Sequence, residues 1–177
     1  AQATLSSMDV NICLVPEIRF KLEGKTGLYK SIENRLTSKG HCLIAVAEGA
    51  GQHLVPATGE TDASGNTKYA DIGTFLVEKI TKYFKSHPHS PTIRYVDPSY
   101  LIRSLPASSD DGVFCLRLGQ AAVHAAMGGK TRMLTGYWSR IFTHVPMDYT
   151  VSARKQIHPD SLFWQSVLEC TRQPQEM

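Results

Sequence analysis

CLIAVAEGAGQ, residues 42–52, decides the fold reading of this chain. Cys42 to Ala47 are apolar without alternation, and then come an acid, Glu48, and a glycine turn, Gly49-Ala50-Gly51. A continuous apolar run this short suits a strand buried on both faces, as in a parallel sheet. Upstream, Asn11-Ile12-Cys13-Leu14-Val15-Pro16 repeats the pattern and is followed at once by Glu17. Between the two, Leu28, Ile32 and Leu36 fall at helical spacing, and Gly40 is placed to end the helix. Strand, helix, strand with such connections predicts a right-handed crossover onto a parallel sheet.

Downstream, residues 53–66 are polar, lack periodicity and read as a surface loop. A second helix carries Ile72, Leu76, Ile80 and Tyr83 on one face, with Glu78 and Lys82 spaced for an ion pair. His87-Pro88-His89-Ser90-Pro91 breaks it, and Thr92-Ile93-Arg94-Tyr95-Val96 reads as a third strand stopped by Asp97-Pro98. Ser108, Ser109, Asp110 and Asp111 supply a cap and first-turn acids for a long helix with Val113, Leu116, Gln120, Val123 and Met127 at helical spacing. Its Ala121, Ala122, Ala125 and Ala126 suit close packing on a sheet. Strands are expected at Met133–Gly136 and Phe142–Val145, and Pro159 suits the first turn of a last short helix through Leu168. The expected fold is α/β: a three-layer, mostly parallel sheet with helices on both faces, residues 1–150 forming the domain and 151–177 a helical tail packed on it.

The chain has 177 residues, 42% of them hydrophobic and 20% charged, which suits one domain with a real core and excludes a disordered or fibrous chain. Nineteen basic against 16 acidic residues are interspersed, so the net charge of +3 gives no signal for nucleic acid or a membrane surface. No apolar run reaches the roughly 18 residues of a membrane span. AQATLSSMDV has neither a basic n-region nor an apolar h-region, so it is no signal peptide. It lacks an initiator Met and any obvious helix or strand start, and upstream sequence is expected to be missing. Cys13, Cys42, Cys115 and Cys170 form no CxxC pair and read as buried free thiols of a reducing compartment, with disulfides or metal as the alternative.

In an open parallel sheet, ligands bind beyond the carboxyl ends of the strands. Glu17, Glu48 and Asp97 each follow a strand-like run there. Glu48 and Asp97 equally suit capping or solvated loop positions, whereas Glu17 follows a proline and lies too far upstream to cap the helix at Leu28. Arg94 in its strand, Tyr100, and Arg103 beyond the strand suit a phosphate monoester, because guanidinium groups match phosphate oxygens in pairs. With a carboxylate such as Glu17 to accept sugar hydroxyls, the residue chemistry fits a phosphorylated sugar; two surface arginines near an ordinary loop are the alternative. The Glu48–Gln52 turn has neither P-loop spacing nor GxGxxG and reads as a tight turn. His87 and His89 lack partners at metal-ligand spacing. His124 reads as a core or half-buried histidine, and Trp138 and Trp164 as packing residues. No serine sits in a GxSxG elbow.

Six segments recur in order: ICLVPE (12–17), KLEGKTGLYKSIENRL (21–36), IAVAEGAGQ (44–52), DASGN (62–66), YVDPSYLIR (95–103) and GQAAVHAAMGG (119–129). Together they resemble the C-terminal part of the 6-phosphofructokinase family, most closely its plant-type ATP-dependent branch. The resemblance implies a two-domain α/β enzyme that transfers a phosphoryl group to the 1-hydroxyl of fructose 6-phosphate, giving fructose 1,6-bisphosphate in glycolysis. It implies that Glu17 binds the sugar, that Tyr100 and Arg103 of the YxxR motif grip the substrate, and, as a looser match, that Arg94 reaches the 6-phosphate.

The family's GGDGS-type nucleotide loop, TIDND- or TIDGD-type catalytic segment and MGR motif do not occur in these residues. The expectation is therefore a substrate-side portion with no catalytic, cofactor-binding or metal residue of its own. Mg²⁺ and ATP serve the intact enzyme, and the isolated chain is inactive. Pyrophosphate as donor, and a non-catalytic truncated subunit that binds sugar phosphate or regulates complete subunits, are the alternatives. The resemblance further implies a homo-oligomer, dimer or tetramer, in the cytoplasm or the plastid stroma, and exposed apolar area on the face turned toward the missing domain. Ile18-Arg19 and Tyr137-Trp138 depart from the family pattern.

Overall fold

The computed structural model describes residues 1–56, 59–61, 63, 65, 68–87 and 90–177. His89 and parts of the 53–66 and DASGN segments lie outside the described residues. In chain order the elements are α1 (Gln2–Ser7), β1 (Ile12–Leu14), α2 (Leu28–Lys39), β2 (Ile44–Val46), α3 (Ile72–Phe84), α4 (Ser99–Arg103), α5 (Ser109–Met127), β3 (Met133–Trp138), β4 (Ile141–Pro146), α6 (Met147–Thr150) and α7 (Leu162–Thr171). They divide into two compact units, one of Ala1–Val96 with Gln156–Met177, the other of Asp97–Lys155.

In the first unit β1 and β2 pair in parallel, Ile12 with Ile44, Cys13 with Ala45 and Leu14 with Val46. Side chains alternate faces along a strand, and here each face meets a different core. Ile12 and Leu14 join Leu28, Tyr29 and Ile32 of α2 and Ile72, Leu76 and Ile80 of α3. Cys13 and Val15 join Val10 with Trp164 and Val167 of α7. Helices thus cover both faces of the parallel pair, the layered α/β arrangement expected of an unalternating apolar run. The other edge of β1 is closed by a side chain: the Cys13 N–H donates to Gln173 Oε1 at 2.7 Å, and Gln173 Nε2 donates to the Cys13 carbonyl at 3.2 Å.

The helix boundaries follow their caps. At the start of α3 Asp71 accepts from the Thr74 hydroxyl at 2.6 Å and from the Thr74 N–H at 3.0 Å, bonds that in that order lower its carboxyl pKa. Gly40 ends α2 in the left-handed region, φ 75°, with its N–H on the Leu36 carbonyl. After β2 the chain turns at Gly51, φ 64°, and a Cβ there would lie 2.8 Å from Phe20 Cζ and 2.9 Å from Ile72 Cδ1. Gln52 laces this turn to the start of α3 through the Ala70 carbonyl and N–H. The Glu48–Gln52 segment is therefore a packed turn, as its spacing suggested.

Several sequence expectations are corrected. Residues 2–7 are helical although they carry no capping signal, because α1 packs against α7 and buries Thr4. Among the described residues, 92–96 enter no ladder. Their alternation instead places Ile93 against the larger core and the Tyr95 ring over Gly73 of α3. Glu78 and Lys82 are not among the ion pairs of the described residues, and Lys79 lies over the Phe75 ring. The last helix starts at Leu162 with Ser161 as its cap, so Pro159 lies in the preceding turn.

In the second unit β3 and β4 form an antiparallel hairpin, Met133 opposite Pro146 through Trp138 opposite Ile141, and not further parallel strands. Residues Ser139 and Arg140 both turn through positive φ, 48° and 67°, the geometry of a two-residue hairpin loop. Phe114 of α5 meets Tyr137 and Phe142 of the hairpin edge-on and stacked. α5 packs on β3 with Ala125 as its buried residue, while His124 and Cys115 are exposed. Trp138 is 77% exposed, while Trp164 of the first unit is 1% exposed. All four cysteines are free; Cys13 is buried, Cys42 half-buried with its thiol pushed up to about 11 by desolvation, and Cys170 exposed.

Candidate functional site

Glu17 stands at the carboxyl end of β1, in the turn that follows buried Val15 and exposed Pro16. Its Oε1 accepts the Ile157 backbone N–H at 3.1 Å, and its Oε2 is buried with no hydrogen-bond partner. The carboxylate lines a cavity of about 690 Å³ with Arg19, Lys21, Lys25, Asp160 and the Trp164 ring. Trp164 is held there by α7, whose cap Ser161 accepts its N–H at 3.2 Å. The Lys21 N–H donates to the Met177 carbonyl and ties the far wall to the C-terminal residues. An ionised carboxylate oxygen accepts from more than one donor, so Oε1 keeps acceptor capacity beside the Ile157 N–H.

Arg94, in the same unit, is exposed on the extended 92–96 segment. In the second unit Tyr100 and Arg103 lie three residues apart on α4, which puts both on one helical face. Both are exposed, Tyr100 by 81%. Asp97 accepts the Ser99 N–H at 3.0 Å, two residues on, just ahead of α4, whose cap position is Pro98. Glu48 is exposed, and it is its carbonyl that is used, accepting Gln52 Nε2.

A charged cluster escaped the sequence reading. Glu33 accepts from Lys30 Nζ at 2.7 Å, from the Tyr83 hydroxyl at 2.8 Å and from His87 Nε2 at 2.9 Å. His87 Nδ1 lies 2.9 Å from the Tyr83 carbonyl. The only signal was the three-residue spacing of Lys30 and Glu33; His87 lies 54 residues away. These bonds, the one from Lys30 foremost, hold the Glu33 carboxyl at about 2, below its ordinary 4.5, and the bond to Glu33 raises the Tyr83 phenol. A depressed carboxyl stabilises the fold above its unfolded pKa, and that stability is lost as pH falls through the folded value. Wild type is therefore expected to lose thermal stability from pH 4.5 toward pH 2 more steeply than Glu33→Gln. Parallel melting curves for the two proteins across that range would refute the assignment.

Among the described residues no group of three or more His, Cys, Asp or Glu is gathered to hold a metal ion. Among them, too, no helix is long and apolar enough to cross a membrane.

A parallel strand pair between helical layers defines an α/β protein. The chain belongs to the 6-phosphofructokinase family, and it matches a portion of its relatives. It is 46% identical over 184 residues to an ATP-dependent 6-phosphofructokinase of Borreliella burgdorferi, covering 100% of this chain and 41% of that protein. It is 45% identical over 183 residues to the ATP-dependent 6-phosphofructokinase of Amycolatopsis methanolica, covering 99% of this chain and 40% of that protein. It is 38% identical over 173 residues to ATP-dependent 6-phosphofructokinase 5, chloroplastic, of Arabidopsis thaliana, covering 98% of this chain and 32% of that protein. No protein-family model matches the chain. The chain thus spans between 32% and 41% of the length of these curated relatives.

Proposed function

We propose that this chain is the substrate-side portion of an ATP-dependent 6-phosphofructokinase and contributes residues that bind fructose 6-phosphate. The similarity along the whole chain to proteins of that name carries the reading. In this reading Glu17 accepts a sugar hydroxyl, Arg103 forks onto phosphate oxygens, Tyr100 adds a phenolic donor beside it, and Arg94 supplies a further cation. Residues 1–150 serve as the substrate-side domain and 151–177 as its helical tail. Phosphoryl transfer to the 1-hydroxyl, with ATP and Mg²⁺, belongs to the intact enzyme, a homo-oligomer of the cytoplasm or plastid stroma. The described residues offer no cluster of three or more His, Cys, Asp or Glu that fits the metal.

Calorimetric titration of the chain with fructose 6-phosphate tests the reading. Loss of a charge-assisted bond costs about 1.5–3 kcal/mol, so Arg103→Ala is expected to bind at least tenfold more weakly. Equal affinity of variant and wild type would sink the Arg103 assignment. Turnover assays with Mg²⁺ and either ATP or pyrophosphate are expected to be silent, and product with either donor would overturn the view of the chain as a substrate-side portion.

A further inference from the structure

Glu17 carries the sugar-binding reading, yet a glutamate on a turn has three side-chain torsions to order before it can serve a ligand, and ordering them costs affinity. Here that ordering is supplied in advance by a residue 140 positions away in sequence. The Ile157 N–H holds Oε1 at 3.1 Å and leaves Oε2 without a partner. The donor is itself fixed from two sides. The Ile157 side chain packs against the cluster of Val10, Cys13, Val15, Trp164 and Val167, the same cluster that holds β1 and so the base of Glu17. One residue further on, His158 accepts from the Ser161 N–H at 3.0 Å and from its hydroxyl at 2.6 Å, closing the turn that leads into α7. Donor and acceptor are therefore mounted on one packed body, which is how a site keeps a side chain in its working geometry.

We infer that the backbone N–H of Ile157 is a positioning group for Glu17, fixing Oε1 and with it the carboxylate that the proposed function assigns to a hydroxyl of a polyhydroxylated ligand. The inference rests on the reading of Glu17 as a sugar-binding residue. It predicts that the peptide group at 157 matters for binding beyond its contribution to the fold.

Ile157→Pro removes the N–H at a position outside any helix or strand, and Ile157→Val keeps it. Fructose 6-phosphate binding is measured by calorimetry for wild type, both variants, Glu17→Ala, and Glu17→Ala combined with Ile157→Pro. The expected result is about tenfold weaker binding for Ile157→Pro, a change within twofold for Ile157→Val, and no further loss from the proline once Glu17 is alanine. A proline variant that binds like the valine one overturns the inference, and so does an equal loss in the Glu17→Ala background, which would mark a merely structural role. Amide exchange at Ile157 gives a reading free of ligand and of the proline: it should quicken in Glu17→Ala, and unchanged exchange also overturns the clasp. If wild type fails to bind the sugar phosphate, or Glu17→Ala binds it equally well, it is the sugar-binding reading of Glu17 that falls, and the positioning role with it.

Discussion

Replacing Gly51 with alanine should lower the stability of the chain by about 2–5 kcal/mol. Two costs coincide at this residue. A non-glycine residue in the left-handed region costs about 1–2 kcal/mol, and Gly51 sits at φ 64°. Overpacking a filled core costs about 1–3 kcal/mol more, and the new methyl would press on Phe20 and Ile72, both buried. Gly40, φ 75°, separates the two costs, because a Cβ there meets nothing within 4 Å. Gly40→Ala should therefore lose only the conformational part. Urea unfolding of both variants measures the difference, and equal midpoints would show that the packing under the glycine turn contributes nothing.

Trp164→Ala should be of similar size and reach further. Removing a buried Trp costs about 3–5 kcal/mol, with the spread set by how far the space collapses. Trp164 is the largest of the fully buried side chains, is packed with Cys13 and Val15 of the strand region, and also walls the cavity at Glu17. The substitution should thus weaken both the fold and sugar-phosphate binding, whereas Trp164→Phe should keep most of both. Chemical denaturation and calorimetry on the same samples check this. A Trp164→Ala protein as stable as wild type would mean that the second core is not what holds α7 against β1.

The parallel pair was legible because the run around Ile12 to Val15 is apolar at every position, and only a strand covered on both faces needs that. The helix ends at Gly40 and Ser108 were legible for a similar reason, since each residue satisfies or spares a backbone group there. The hairpin of β3 and β4 was not legible as one. Its turn is Ser139-Arg140, both left-handed, where the readable signal is Asn-Gly or Asp-Gly. The extended 92–96 segment misled because alternation reports one covered face and is silent on whether a neighbouring strand covers an edge. Of the candidate site, the residue types could be read and the support could not: the Ile157 amide and the His87 ring reach their partners across 140 and 54 residues. The exposure of Cys115, His124 and Trp138 was likewise hidden, because apolar neighbours in sequence do not guarantee neighbours in space.

One glutamine has a consequence for solubility. An amide side chain is a peptide group in miniature, with one donor and one acceptor side by side, and Gln173 sets both against the N–H and C=O of Cys13. An unpaired strand edge is a template on which other extended chains can grow. Here the two groups that would seed such growth at the middle of β1 are already occupied, so an invading strand must first evict Gln173. A single side chain near the C-terminus thus acts as a gatekeeper against fibril-like stacking of β1, a strand that both cores share.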